Sequence, residues 1–159
     1  MQNTADELKE VIAKIIPLLE KIDENTTSIK PAPGKWSKKE IIGHLVDSAC
    51  NNQQKFVRTM LTNGLDFTGY QQDDWVSIQR YQDHSWRELL SFWKHYNLHI
   101  AHLIEHMQES LLQNTISIDG QGPFTLEFIM KDYVEHLKHH LKQILPDNEY
   151  LKSNFKNVY

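Results

Sequence analysis

Histidine is the common side chain that titrates and binds metals near neutral pH, and this chain has nine of them. Two lie four residues apart, His136 and His140, in the stretch YVEHLKHHLKQIL from Tyr133 to Leu145. On a helix that spacing puts both on one face with Cβ atoms about 5–6 Å apart. Both rings can then reach one ion lying about 2.0–2.1 Å from each nitrogen. At about 100° per residue, His140 falls inside the apolar stripe of its helix and His136 on the flank, beside Ile129 and Tyr133. Spacing alone fits a pair of half-buried neutral histidines hydrogen-bonded to neighbours equally well, and that is the commoner outcome for an i,i+4 pair. His139 adjoins the pair but points about 100° away around the helix, so it is not counted with it.

A second group, His95, His99, His102 and His106, follows i, i+4, i+7 and i+11 and forms a narrow ribbon. It lies off the apolar centre set by Leu89, Tyr96, Ile100 and Leu103, so it reads as a solvated or edge-facing stripe. Adventitious metal binding or a pH-sensitive contact is its functional alternative. His84 sits just before a helix start. His44, in IIGHLVDSA, points away from the face defined by Ile42, Leu45, Val46 and Ala49, so spacing makes it a surface or helix-contact residue. The single cysteine, Cys50, excludes an intramolecular disulfide and a cysteine-based zinc knuckle, fits a reducing compartment, and reads as a small buried hydrophobe.

The elements that carry these residues are helices. Glycine and proline cluster at Pro31 to Gly34, Gly64 to Gly69 and Gly120 to Pro123, dividing the chain into four long pieces. Thr4 to Glu7, Ser37 to Glu40 and Ser85 to Glu88 each have the capping-box pattern, in which a hydroxyl and a glutamate satisfy free N–H groups at a helix start. Trp36 and Ile41 flank the second box as a hydrophobic staple. Thr125, after Gly122-Pro123, is the expected cap of the last helix. Apolar residues recur every three or four positions in all four pieces: Leu8, Val11, Ile12, Ile15 and Leu19; Ile41, Leu45, Ala49, Phe56 and Met60; Leu89, Trp93, Tyr96, Ile100, Leu103 and Met107; Leu126, Met130, Tyr133, Leu137, Leu141 and Ile144. Four helices with one apolar stripe each predict an all-α four-helix bundle. The linkers after the first and second helices are long enough to carry crossovers. Ile116 to Phe124 has brief β character and fits a short hairpin-like turn or, as the favoured expectation, only an ordered loop, and Phe67 to Tyr81 is expected to cover one end of the bundle.

A length of 159 residues predicts a single domain, 1–159, with a core that needs no staples. The formal charge of −4 and the absence of a basic tract argue against nucleic acid or an anionic membrane surface as partner. The N-terminal stretch is acidic where a signal peptide is basic, and no apolar run approaches the roughly 18 residues of a membrane span. The expectation is a soluble cytoplasmic protein.

The stretch GKWSKKEIIGHLVDSACNN (Gly34 to Asn52), together with YVEHLKHHLKQI, resembles the DinB superfamily and in particular its YfiT-like branch of metal-dependent hydrolases. The motifs that carry the resemblance are W-S-x-x-E-x-x-x-H-L, met by Trp36, Ser37, Glu40, His44 and Leu45, and H-x3-H-x2-Q, met by His136, His140 and Gln143. The resemblance covers nearly the whole chain. It implies a four-helix bundle in which His44, His136 and His140 hold one divalent metal, nickel or zinc, and it brings His44 to a site that periodicity does not give it. It also implies hydrolase activity or transfer to a low-molecular-weight thiol, with a small-molecule substrate, and homodimers are common in the family. A polar cavity lined by Ser48 and Asn52 would receive His44 beside the apolar seam.

Three neutral imidazoles leave a coordination position open, as catalytic metal sites do. Water or a thiol is acidified there. Asp47, Asp132 and Gln143 lie three or four residues from the ligands and are candidates for fixing the ring tautomers; each fits a solvated surface role as well. Tyr133 either lines the pocket or packs. The opposing function is a bundle that binds metal or a ligand, or pairs with another copy, without turnover.

Overall fold

A computed structural model describes Met1–Val158. Four long helices dominate it: α1 (Gln2–Leu19), α3 (Lys38–Leu61), α5 (Trp86–Glu105) and α6 (Leu126–Ile144). Two shorter helices, α2 (Glu24–Thr27) and α4 (Gln72–Ile78), lie in the connections. The long helices bury the stripes expected of them, and Trp93, Tyr133 and Phe56 are the largest fully enclosed side chains. Around the bundle α1 packs on α5, α5 on α3, α3 on α6 and α6 on α1. The chain therefore crosses the bundle diagonally from α1 to α3 and again from α5 to α6, while α3 and α5 are neighbours. The first long linker is a crossover, as its length allowed; the second is not.

Helix starts follow the capping chemistry with one correction. The Ser37 hydroxyl accepts from Glu40 N–H and the Glu40 carboxylate accepts from Ser37 N–H, so that box is complete. Ser85 and Thr125 accept from Glu88 and Phe128 N–H. Thr4, however, lies inside α1, which begins at Gln2 behind Met1 without a side-chain cap. Thr4 is buried: packing of the first turn against the core extends the helix past the residue whose side chain would have stopped it.

The second correction concerns Ile116 to Phe124, where the hairpin-like alternative holds and the ordered loop does not. The stretch is a hairpin of β2 (Thr115–Ile118) and β3 (Gln121–Thr125), and β1 (Leu65–Phe67) joins β2 in parallel with Leu65 opposite Ile116. Asp119 and Gly120 both have positive φ, at 49° and 78°, which is the backbone an Asp-Gly hairpin turn requires. That dipeptide was the available signal. The partner strand had none, because β1 is three residues long and is held by tertiary pairing.

Candidate metal centre

The first half of α3 departs from the one-stripe pattern. Every residue from Lys39 to Ala49 is buried, on all sides of the helix. α6 and α5 cover one side, and the segment that includes α4 and the 3-10 turn Tyr81–Asp83 covers another. Gly43 makes this possible, since a Cβ there would lie 2.1 Å from the Tyr81 ring. Tyr81 donates its hydroxyl proton to Asp47 at 2.7 Å, and Gln79 donates to the same oxygen at 2.6 Å. Asp47 therefore anchors the covering segment and does not orient a histidine. Burial raises its pKa against the pull of those two hydrogen bonds.

In this enclosed stretch His44 is 1% exposed, so of the two positions periodicity left open, surface or helix contact, it takes the helix contact. Periodicity places a residue relative to one buried face, and here there is no exposed face. α6 runs antiparallel alongside, since His44 meets His136 and His140 while Phe56 meets Tyr133. The three histidine rings converge: centroids lie 4.5 Å apart for His44–His140 and for His136–His140, and 5.2 Å for His44–His136. A possible ligand nitrogen of each ring lies within 4.8 Å of those of the other two. Among the described residues no fourth His, Cys, Asp or Glu joins them.

The closest approach is His44 Nε2 to His136 Nε2, at 3.3 Å. Two nitrogens each about 2.0–2.1 Å from one tetrahedral ion are about 3.3–3.4 Å apart, so this separation fits one edge of such a site. The outer nitrogens are held differently. His136 Nδ1 faces Ser48 Oγ at 3.4 Å, and Asn52 Nδ2 donates to that oxygen at 3.2 Å. His140 Nδ1 faces the Gln143 amide at 3.3 Å; a ring binding through Nε2 carries its proton on Nδ1, and the amide turned to present oxygen would accept it. His44 Nδ1 is buried and has no hydrogen-bond partner among the described residues. Its ring is oriented by packing, with Trp36 at 4.8 Å on one side and the two partner imidazoles on the other.

Burial keeps all three rings neutral and available as ligands. It is the main cause that lowers His44 to about 3, with His140 adding to it, and His140 to about 4, with His139 adding. It also drives His136 well below the ordinary value, helped by His140, His44, His139 and Lys55. Neutral imidazoles with converging lone pairs, beside a cavity of about 500 Å³, fit a divalent cation that keeps a position open to solvent.

The cavity is lined by Ser48 and Asn52, as expected, and also by Tyr133, Asp132, Lys55 and residues Gly69 to Gln72. Part of the segment from Phe67 to Tyr81, Gly69 to Gln72, thus forms a wall of the site. Gly69 is required there: its N–H donates to Asp119 Oδ1 at 2.9 Å, and a Cβ would lie 2.4 Å from Asp119 Oδ2. His139 is exposed at the rim, against Phe155 at 5.4 Å between ring centroids. Phe155 also stands edge-on to His136 at 5.0 Å. Sequence reasoning missed Phe155, Lys55 and the packing of Trp36 against the His44 and His140 rings. Continuing the stripe His44, Ser48, Asn52 one more turn would have reached Lys55; nothing in the sequence marks Phe155.

The DinB superfamily model matches residues 7–144. The chain belongs to the DinB superfamily. No curated protein matches it. Among solved structures, this DinB protein is similar to YfiT from Bacillus subtilis, described as a probable metal-dependent hydrolase with an unusual four-helix bundle topology. The TM-score is 0.82 at 19% identity, over 91% of this chain and 83% of that one. The likeness shows a shared four-helix-bundle fold; in this chain a small three-stranded sheet lies beside the bundle. Among the described residues no helix is long and apolar enough to cross a membrane.

Proposed function

We propose that this DinB-superfamily protein is a metal-dependent hydrolase of small molecules, with His44, His136 and His140 as the ligands of one divalent metal. The observation that carries the reading is the 3.3 Å approach of His44 Nε2 to His136 Nε2 from two different helices, with His140 alongside and an open cavity in front. A divalent ion bound there supplies a Lewis acid that polarises a substrate carbonyl and acidifies water at neutral pH. The protein's own part is to hold three imidazoles neutral by burial. Ser48 and Gln143 fix the tautomers of His136 and His140, and Trp36 excludes water from the back of the His44 ring. The description of YfiT as a probable metal-dependent hydrolase supports the same chemistry.

The open cavity favours this reading over a bundle that stores metal without turnover, because a storage site gains from a fourth protein ligand. Zinc or nickel suits an all-imidazole donor set. The proposal extends to a low-molecular-weight thiol as alternative nucleophile and to a homodimer, both supported by family resemblance, to a single domain over 1–159, supported by chain length, and to the cytoplasm, which the single cysteine fits. The test is the metal content of purified wild type and His136→Ala, followed by hydrolysis assays with and without chelator. One ion per chain in the wild type, none in the variant, and chelator-sensitive turnover are expected. Equal metal content in both proteins would remove the site.

A further inference from the structure

The stretch from Lys152 to Val158 has no regular secondary structure, yet it lies along α6 and its far end forms part of the cavity wall. Leu151, fully buried, fixes where it starts. From there coverage alternates: Ser153 and Phe155 are half-buried, while Lys152, Asn154 and Lys156 are exposed. That is the period of an extended chain, which turns successive side chains to opposite sides. The strap is tied to one turn of α6. Ser153 Oγ donates to the Glu135 carbonyl at 2.8 Å, and the Asn154 N–H donates to the Glu135 carboxylate at 2.6 Å. Lys138 pairs with that carboxylate and with Glu7, which steadies the tie from the other side.

These ties bring Phe155 to the three histidines. Its ring stands edge-on to His136 and also meets His139, while His136 turns Nε2 toward His44. Phe155 is therefore one imidazole away from the point where the ligand nitrogens converge. It lines the cavity and is only half-buried, so the two imidazoles leave part of the ring uncovered. Val158 lines the cavity from the same strap, Tyr70 from the loop wall and Ile118 from β2. Apolar surface that faces water in a cavity gains free energy when an apolar group covers it. Rings add to that gain when they meet offset or edge-to-face.

We propose that Phe155 is a specificity-determining residue, against which the substrate lays an aromatic or other apolar group carried directly beside its reacting group. The substrate class is then small molecules with a hydrophobic substituent next to the bond that reacts. This rests on the metal-dependent reading above for the reacting group only; the apolar subsite is a property of the strap and the walls beside it.

The test uses two probes that present the same metal-binding group, acetohydroxamate and phenylacetohydroxamate, which differ by one phenyl ring. Calorimetry on zinc-loaded protein should find the phenyl probe at least about tenfold tighter, the scale of covering half a ring. Phe155→Ala should bring that ratio to within about threefold, and Phe155→Leu should keep part of it, since a branched apolar side chain still covers the ring. Equal affinities in the wild type would overturn the proposal. So would a ratio that Phe155→Ala leaves intact, which would give the gain to other walls, or an equal loss for both probes, which would show that Phe155 serves only to seat His136. Where a variant fails to fold, intermolecular NOEs between the phenyl probe and the Phe155 ring in the wild type decide, and their absence counts against the subsite. If the protein takes up no zinc, the hydrolase reading falls, and the subsite is then decided on metal-free protein by NMR titration with phenylacetamide against acetamide. Shifts of the Phe155 ring signals with phenylacetamide alone support it; no difference between the two sinks it.

Discussion

Two histidine clusters in this protein share the same helical spacing and differ in almost everything else. His136 and His140 on α6 have ring centroids 4.5 Å apart; His102 and His106 on α5 stand closer still, at 4.1 Å. His102 and His106 are exposed, and the carboxylate between them, Glu105, is already taken by Lys9 at 2.7 Å and Gln2 at 3.1 Å. His106 Nδ1 is spent on the His102 carbonyl at 2.9 Å. The α6 pair instead meets a third imidazole from another helix, is shielded by Trp36, and opens on a cavity. An i,i+4 pair is a common surface pattern. The cross-helix third ring and the loss of water make one of these two a candidate site.

The largest effect should come from breaking the cross-helix member. His44→Ala leaves two ligands, and its metal affinity should fall by more than the roughly 100-fold that removal of an outer-sphere partner costs. His102→Ala should leave one ion per chain bound. Elemental analysis and competition with a chromophoric chelator read both. If His102→Ala removes the ion and His44→Ala does not, the two clusters have been assigned the wrong way round.

The enclosure of α3 can be broken next. Gly43→Ala places a methyl 2.1 Å from the Tyr81 ring, so the ring and its hydrogen bond to Asp47 must shift. Overpacking of this kind costs about 1–3 kcal/mol, the upper end being expected here because the clash is with a rigid ring. His99→Ala on the exposed face of α5 should stay within about 0.5 kcal/mol of wild type. Urea unfolding of the metal-free proteins measures the difference; a neutral Gly43→Ala would mean that the covering segment is loosely held.

That enclosure also explains which parts were legible in sequence. The four stripes and the caps at Ser37, Ser85 and Thr125 are local signals, and the helices follow them. The His136 and His140 pair was legible as geometry, and Gln143 as its neighbour. His44 was not: its burial depends on Tyr81 and the α4 segment folding over α3 from a distance of more than thirty residues, and only the motif resemblance pointed to it. Asp47 was legible as a polar residue near the site, yet its partner is Tyr81 rather than a histidine. Lys55 and Phe155 reach the cavity only through tertiary structure, and the strand β1 exists only because β2 lies beside it.

The neutral state of His44 gives a pH signature in the metal-free protein. The unfolded chain protonates this ring as pH falls through about 6.5, while the folded ring, lowered to about 3, stays neutral. Protons therefore favour the unfolded state across that window, and stability should fall by about 1.4 kcal/mol per pH unit from this one side chain as pH drops from 6.5 toward 4. His44→Leu should remove that part of the slope. Unfolding free energies at pH 7, 6 and 5 test it, and parallel slopes for the two proteins would show that His44 is hydrated in solution.

The smallest effect sharpens the comparison most, because it asks whether the buried cluster has an organised surround that the exposed one lacks. Ser48 stands between His136 Nδ1 at 3.4 Å and the Asn52 amide at 3.2 Å. Asn52 donates to one lone pair of the hydroxyl oxygen, and the second is there to accept the Nδ1 proton in the tautomer that leaves Nε2 bare toward His44. Ser48→Ala removes the acceptor without enlarging the side chain, and metal affinity should fall by about tenfold, the lower end for loss of an outer partner. Fold stability should change far less, since the hydroxyl borders the cavity rather than the packed core. On the exposed pair the analogous contact is the backbone carbonyl of His102, which no side-chain substitution removes. An unchanged affinity in Ser48→Ala would mean that packing alone sets the His136 tautomer, as it sets the ring of His44.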